Sequence, residues 1–169
     1  MVMRPFRLAL LAGMMMLPAA CAVAGQSGDE LTAEEQARGL VPVTIQTADG
    51  ARRFKAEPAK TPEQQQRGLM FRTDLTDTSA MLFFPYPPEG GAPREASFWM
   101  KDTPTALDII FIRSDGTIAR IERGEPFNEI PVRSIEPVGA VLEIKAGRAA
   151  ALGISEGDKV SWPGGPGAD

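Results

Sequence analysis

The sequence predicts a mainly β domain, α+β only at the margin: a two-layer β-sandwich or partly open barrel with two or three short helices. Three observations predict it. Seventeen Gly and fifteen Pro in 169 residues punctuate the chain with turns. Between the turns lie short runs that alternate apolar and polar residues or are apolar throughout, the patterns of half-buried and fully buried strands. No strand–helix alternation of the doubly wound kind runs through the chain. At 43% hydrophobic and 24% charged, the composition is globular. The length suits one domain, assigned to residues 41–162, behind a removable leader.

The leader is residues 1–24. Arg4 and Arg7 make it positive, Leu8 to Leu17 form a short apolar run, and small residues follow, the arrangement of a signal peptide. Ten apolar residues are too few for a permanent transmembrane helix. Ala22-Val23-Ala24 offers a cleavage site that would release a chain starting at Gly25. The alternative is lipidation at Cys21, although Pro18 stands where a lipobox carries Leu. The expected location is therefore the periplasm or, alternatively, the membrane surface through a lipid anchor. After removal of Arg4 and Arg7, 16 of the 18 basic residues remain against 22 acidic ones, a net charge of −6. That acidity argues against nucleic acid as a partner.

Residues 25–40 are polar and are read as a tether, with Thr32 and Glu35 placed to form a capping box if a short helix starts there. Val41, Val43 and Ile45 alternate as a strand, Asp49-Gly50 marks a hairpin, and residues 52–57 return. Thr61-Pro62-Glu63 opens a short helix that ends at Gly68. Further strands are expected over 80–84, 97–101, 107–112, 117–122, 138–144 and 159–162. Ser114-Asp115-Gly116 makes a hairpin, and an alanine-rich helix over 146–152 has Gly153 as its left-handed cap. Residues 85–95 form an irregular Pro- and Gly-rich loop, and residues 163–169 are expected to be a disordered tail.

The segments Arg67-Gly68-Leu69-Met70-Phe71-Arg72, Met81-Leu82-Phe83, Phe98-Trp99-Met100-Lys101, Leu107-Asp108-Ile109 and Gly157-Asp158-Lys159-Val160 resemble those of domain-of-unknown-function family 192. The resemblance spans about residues 41–162. It implies a small β-rich domain, often exported, and no settled activity. Three departures matter. The family usually has Asn where Asp102 stands and Pro where Ala106 stands. Many members carry two cysteines in the loop that here reads Glu125 to Pro131, so a cysteine-based role does not transfer.

The chain has no histidine and one cysteine, which excludes a histidine triad, a His-ligated metal and an intramolecular disulfide. No metal or cofactor is expected; Asp74 to Asp77 lacks the spacing of a calcium loop. The strongest polar group is Lys101, Asp102, Thr103 and Asp108. An unpartnered carboxylate in the apolar run around Asp108 would be costly, so it needs Lys101, Arg72 or backbone N–H groups. Strand alternation puts Phe98 and Met100 on one face and leaves Trp99 beside Lys101 on the other, an aromatic platform next to a cation. Arg67 and Arg72 flank a helix end, where they either recognise an anion or pair with Asp74 or Asp77. The ligand-binding candidates are thus Arg67, Arg72, Trp99, Lys101, Asp102, Thr103 and Asp108.

The function expected from these residues is a small exported binding or accessory module of the cell envelope, its ligand a sugar or a small anionic molecule. One alternative is a hydrolase using carboxylate or lysine chemistry in the same place. The other is an interaction module that docks an envelope protein through the loop from Pro85 to Glu95.

Overall fold

The computed structural model describes residues 30–166. The expected signal peptide, with its Ala24 and Cys21 alternatives, lies outside the described residues, as do residues 167–169. Three helices and nine strands are present among the described residues: α1 (Ala33–Ala37), β1 (Val41–Thr47), β2 (Gly50–Ala59), α2 (Pro62–Arg67), β3 (Ser79–Phe83), β4 (Arg94–Phe98), β5 (Leu107–Ile112), β6 (Ile118–Gly124), β7 (Val132–Val138), β8 (Ala140–Lys145), α3 (Arg148–Ala151) and β9 (Lys159–Ser161). Seven strands make one sheet in the order β6-β5-β8-β3-β2-β1-β9, curled into a half-barrel, and β4 pairs with β7 in a second, small sheet. The fold is mainly β, and the partly open barrel describes its larger sheet.

Local signals act where the sequence placed them. Thr32 and Glu35 form the capping box of α1, and Thr61 caps α2 with Pro62 in the first turn. Gln64 completes that second capping box by accepting from the Thr61 N–H at 3.1 Å. The polar segment before β1 is more than a tether, because Glu35 of α1 ion-pairs with Lys55 of β2 at 2.8 Å. At the other end, residues 163–166 form a turn in which the Gly165 N–H donates to the Trp162 carbonyl at 3.0 Å. Strand β4 begins and ends three residues before the expected 97–101. Strand β7 was not expected, since Pro137 and the left-handed Ile135 (φ 67°) interrupt its pattern.

The sheet has two covered faces. One carries Val43, Ile45, Phe54, Leu82, Leu142 and Ile144 and is closed by α3 and Trp162. The other carries Met81, Phe83, Ile109, Phe111 and Val141 and is closed by the β4–β7 sheet with Met100 and Leu69. Strands β2 and β3 run parallel, so the chain must cross over between them, and α2 lies in that crossover. This connection brings the α2 C-terminus and the residues after it over the second face.

Candidate functional site

Strand alternation decides which polar side chains reach this second face. Along one row, Glu57 of β2 stands opposite Met81 of β3, Met81 opposite Glu143 of β8, Glu143 opposite Ile109 of β5, and Ile109 opposite Glu122 of β6. The two outer carboxylates are paired: Glu57 with Arg72, at 2.9 and 3.0 Å, and Glu122 with Arg120. Glu143 lies between them on a central strand, 4% exposed, and its carboxyl makes no hydrogen bond or ion pair among the described residues. Burial alone pushes that carboxyl up to about 8, so it is protonated at neutral pH.

A small chamber of about 30 Å³ lies over Glu143, lined also by Gln65, Thr103, Leu69 and Phe98. Gln65 donates its amide to the carbonyls of Ala59 and Pro85, at 3.0 and 2.8 Å, which leaves its buried Oε1 without a partner. Thr103 is 5% exposed and donates its hydroxyl to the Lys101 carbonyl at 3.1 Å. Arg67, Trp99, Met70 and Gln66 line both this chamber and a wider cavity of about 360 Å³, whose other walls are Lys101, Asp102 and Glu63. The volume of the outer cavity suits a small metabolite.

The mouth is built by a turn and a helix end. Trp99 and Lys101 follow β4, and the Thr103 N–H closes a turn onto the Met100 carbonyl at 3.1 Å. Asp102 occupies its left-handed corner at φ 52°, a conformation that Asp and Asn tolerate better than most residues. Trp99 is 44% exposed, and the Lys101 ammonium lies 5.4 Å from its ring centroid. Beneath them Phe98 packs edge-on against Phe83 at 4.9 Å, which holds the segment to the core. The exposed Phe71 and Phe127 border the same turn, their N–H groups donating to the carbonyls of Asp102 and Thr103. Arg67 ends α2, just before the left-handed Gly68, and makes no ion pair among the described residues.

The sequence-derived candidates therefore divide. Arg67 and Trp99 line both cavities, Lys101 and Asp102 the outer one and Thr103 the inner one. Arg72 lines an adjacent cavity of about 320 Å³ with Arg67 and Glu57, its guanidinium already taken by Glu57 and Asp74. Asp108 is on the opposite face of the sheet, because it alternates with Leu107 and Ile109 and shares its side with Ile110 and Ile112. Its partners are neither Lys101 nor Arg72. The carboxylate accepts from the Gly147 and Ala149 N–H groups at 3.0 and 2.9 Å, and so anchors the start of α3. Glu143 was missed. The signal was present in Val138 to Ile144, an apolar strand interrupted by one carboxylate, but spacing alone gives no neighbour for it.

The fold and the cavity define a small mainly β domain that presents a polar, aromatic-lined cleft on one face of a half-barrel sheet. The chain belongs to the DUF192 family, described as Uncharacterized ACR, whose model matches residues 43–162. A protein of unknown function from Novosphingobium aromaticivorans is 44% identical, with a TM-score of 0.68 over 73% of this chain and 85% of that one. A protein described as a proposed transcription regulator, from Sinorhizobium meliloti, is 38% identical, with a TM-score of 0.68 over 74% of this chain and 95% of that one. No curated protein matches the chain.

Proposed function

We propose that the protein is an exported binding module of the cell envelope that takes a small polar molecule, a sugar or a small anion, into the cleft beneath Trp99. The observation that carries this reading is a pair of cavities that share Gln66, Arg67, Met70 and Trp99 as lining. The outer one has the Trp99–Lys101 pair, the inner one has Glu143, and neither Arg67 nor Glu143 is ion-paired among the described residues. A buried polar group without a partner lowers stability, and a ligand supplies the partner it lacks. The cations receive an anionic group, and the indole face offers a platform for an apolar ring surface. Export rests on the pattern of residues 1–24.

The test is a thermal-shift and native mass spectrometry screen with sugars, sugar acids and small carboxylates, read also by tryptophan emission. Stabilisation by at least one compound, abolished by Trp99→Ala, is expected. No stabilisation across the panel, with emission unmoved, overturns the reading. A hydrolase in the same cleft has one observation in its favour: Glu143 holds its proton at pH 7, as a general acid must, with Asp102 in the adjoining cavity. Turnover of a chromogenic glycoside or ester by the wild type but not by Glu143→Gln is its test. A role in transcription has no support in the charge, which is −4 for the whole chain.

A further inference from the structure

We infer that the ligand carries a primary ammonium group, which enters the inner chamber and docks on Glu143, and an anionic group, which stays at the mouth with Arg67 and Lys101. This rests on the binding reading above and narrows it to zwitterions of the amino-acid kind.

The polar side chains that line the inner chamber and not the outer cavity are Glu143, Gln65 and Thr103. Glu143 contributes a carboxyl with no partner, Gln65 a buried Oε1 with no partner, and Thr103 a hydroxyl whose proton is committed to the Lys101 carbonyl. Among these three an acceptor such as a carboxylate or a phosphate would meet only the Glu143 proton, because Arg67, Gln66 and Trp99 belong to the wall shared with the outer cavity. A primary ammonium has three N–H donors for the three side chains. The chamber volume of about 30 Å³ admits a group of the size of one water. A ring or a branched head does not fit, so only the tip of a ligand reaches the floor.

Charge points the same way. No cation pairs with the Glu143 carboxyl among the described residues, and Arg67, which also lines the chamber, is shared with the outer cavity. The nearest carboxylates on its row, Glu57 and Glu122, are held by Arg72 and Arg120. On the side of α2 and the 99–103 turn, the charged groups are Glu63, Arg67, Lys101 and Asp102, all lining the outer cavity, with Arg67 lining the inner chamber as well. Arg67 and Lys101 make no ion pair there among the described residues, which leaves both cations open to an anionic group. On binding, the ammonium replaces the Glu143 proton, which leaves to solvent, and the carboxylate forms in contact with the cation.

The experiment is isothermal calorimetry on the purified protein with an amino-acid series from glycine through 6-aminohexanoate, matched by the hydroxy acids and unsubstituted carboxylates of equal length. At least one amino acid should bind about tenfold or more tightly than its hydroxy counterpart. Its affinity should rise with pH up to about 8, the range in which Glu143 otherwise holds its proton. Glu143→Gln should weaken it about 30-fold or more while leaving the unsubstituted carboxylate unchanged. Circular dichroism should show the variant folded. If hydroxy acids or neutral sugars bind as well as the amino acids, the ammonium inference falls and the binding reading stands. If no member of the series binds while a sugar acid does, the result is the same. If nothing binds, both fall.

Discussion

Replacing Glu143 by Gln should abolish a fall in stability between pH 5 and pH 8. In the folded protein burial raises the carboxyl from 4.5 to about 8, so the native state keeps a proton that the unfolded chain releases near its ordinary value. Between those two values the native state binds more protons, and stability therefore falls as pH rises, opposite to the usual salt-bridged carboxylate. The slope is about 1.4 kcal/mol per pH unit. Two and a half units separate 4.5 from neutrality, which makes the ionisation cost ~3 kcal/mol at pH 7. It levels off above 8. The carboxylates held down by partners, among them Glu35 by Lys55 and Asp115 at about 2 by Thr117, add stability that is lost only as pH falls through their lowered range. They leave the interval from 5 to 8 flat. Urea unfolding of wild type and Glu143→Gln at pH 5, 6, 7 and 8 measures the effect. The variant should gain on wild type by ~3 kcal/mol between pH 5 and pH 8. Glu143→Leu, which also removes the unpartnered polar group, should lie a further ~1–3 kcal/mol above it. Parallel wild-type and Gln curves would refute the reasoning, because they would mean that the carboxyl is hydrated or paired in the folded state.

Three further perturbations probe the supports of the cleft and its surroundings. Asp108→Ala removes two bonds from a buried carboxylate to the Gly147 and Ala149 N–H groups. It should cost ~3 kcal/mol in denaturant unfolding and leave tryptophan emission in the cleft unchanged. Asp102→Asn should keep the melting temperature, whereas Asp102→Ala, at φ 52°, should lose ~1 kcal/mol in the same assay. Thr61→Ala takes away the cap of α2 and should cost ~1 kcal/mol. Because α2 carries Arg67, it should also weaken anion binding at the mouth when titrated with a sugar acid.

Elements governed by local rules were legible in the sequence, and those governed by distant pairing were not. Thr32, Thr61, Asp49-Gly50 and Gly153 act through bonds and dihedrals within a few residues, so their positions could be read directly. Strand β7 is defined by its pairing with β4, with a register shift between Glu95 and Ser97, and neither strand's own pattern encodes that bulge. At the site, the structure has Trp99 beside Lys101, as period-two alternation predicts, although both residues follow the end of β4 and the alternation is not what brings them together. Of the partners the sequence offered Asp108, the structure has the backbone N–H groups. Which face of the sheet it occupies follows from the pairing of β5 with β6 and β8, which the β5 segment does not encode by itself. Glu143 depended on knowing that β8 lies between β3 and β5, a sheet order in which none of its neighbours is adjacent in sequence.

That sheet order also explains why Glu143 is informative. A row across the second face holds three glutamates, and the folded chain supplies an arginine to each of the outer two. On the strand between them no side chain of the described residues pairs with the carboxyl, and the flanking positions are Met81 and Ile109. A cost of ~3 kcal/mol is large against the 5–15 kcal/mol by which domains are stable. Met or Leu at this place would close the core without it. The chain instead keeps the chamber open over the carboxyl, lines it with Thr103 and with Gln65, whose buried Oε1 has no partner, and leaves Arg67 and Lys101 without ion pairs among the described residues. Each of these features lowers or fails to raise the stability of the protein, and all of them line one or both of the two cavities that share Arg67 and Trp99. A solute that bonds to the floor and the mouth together compensates all of them at once. A stabilising Glu143→Leu variant that still binds the same solute with undiminished affinity would place the site elsewhere.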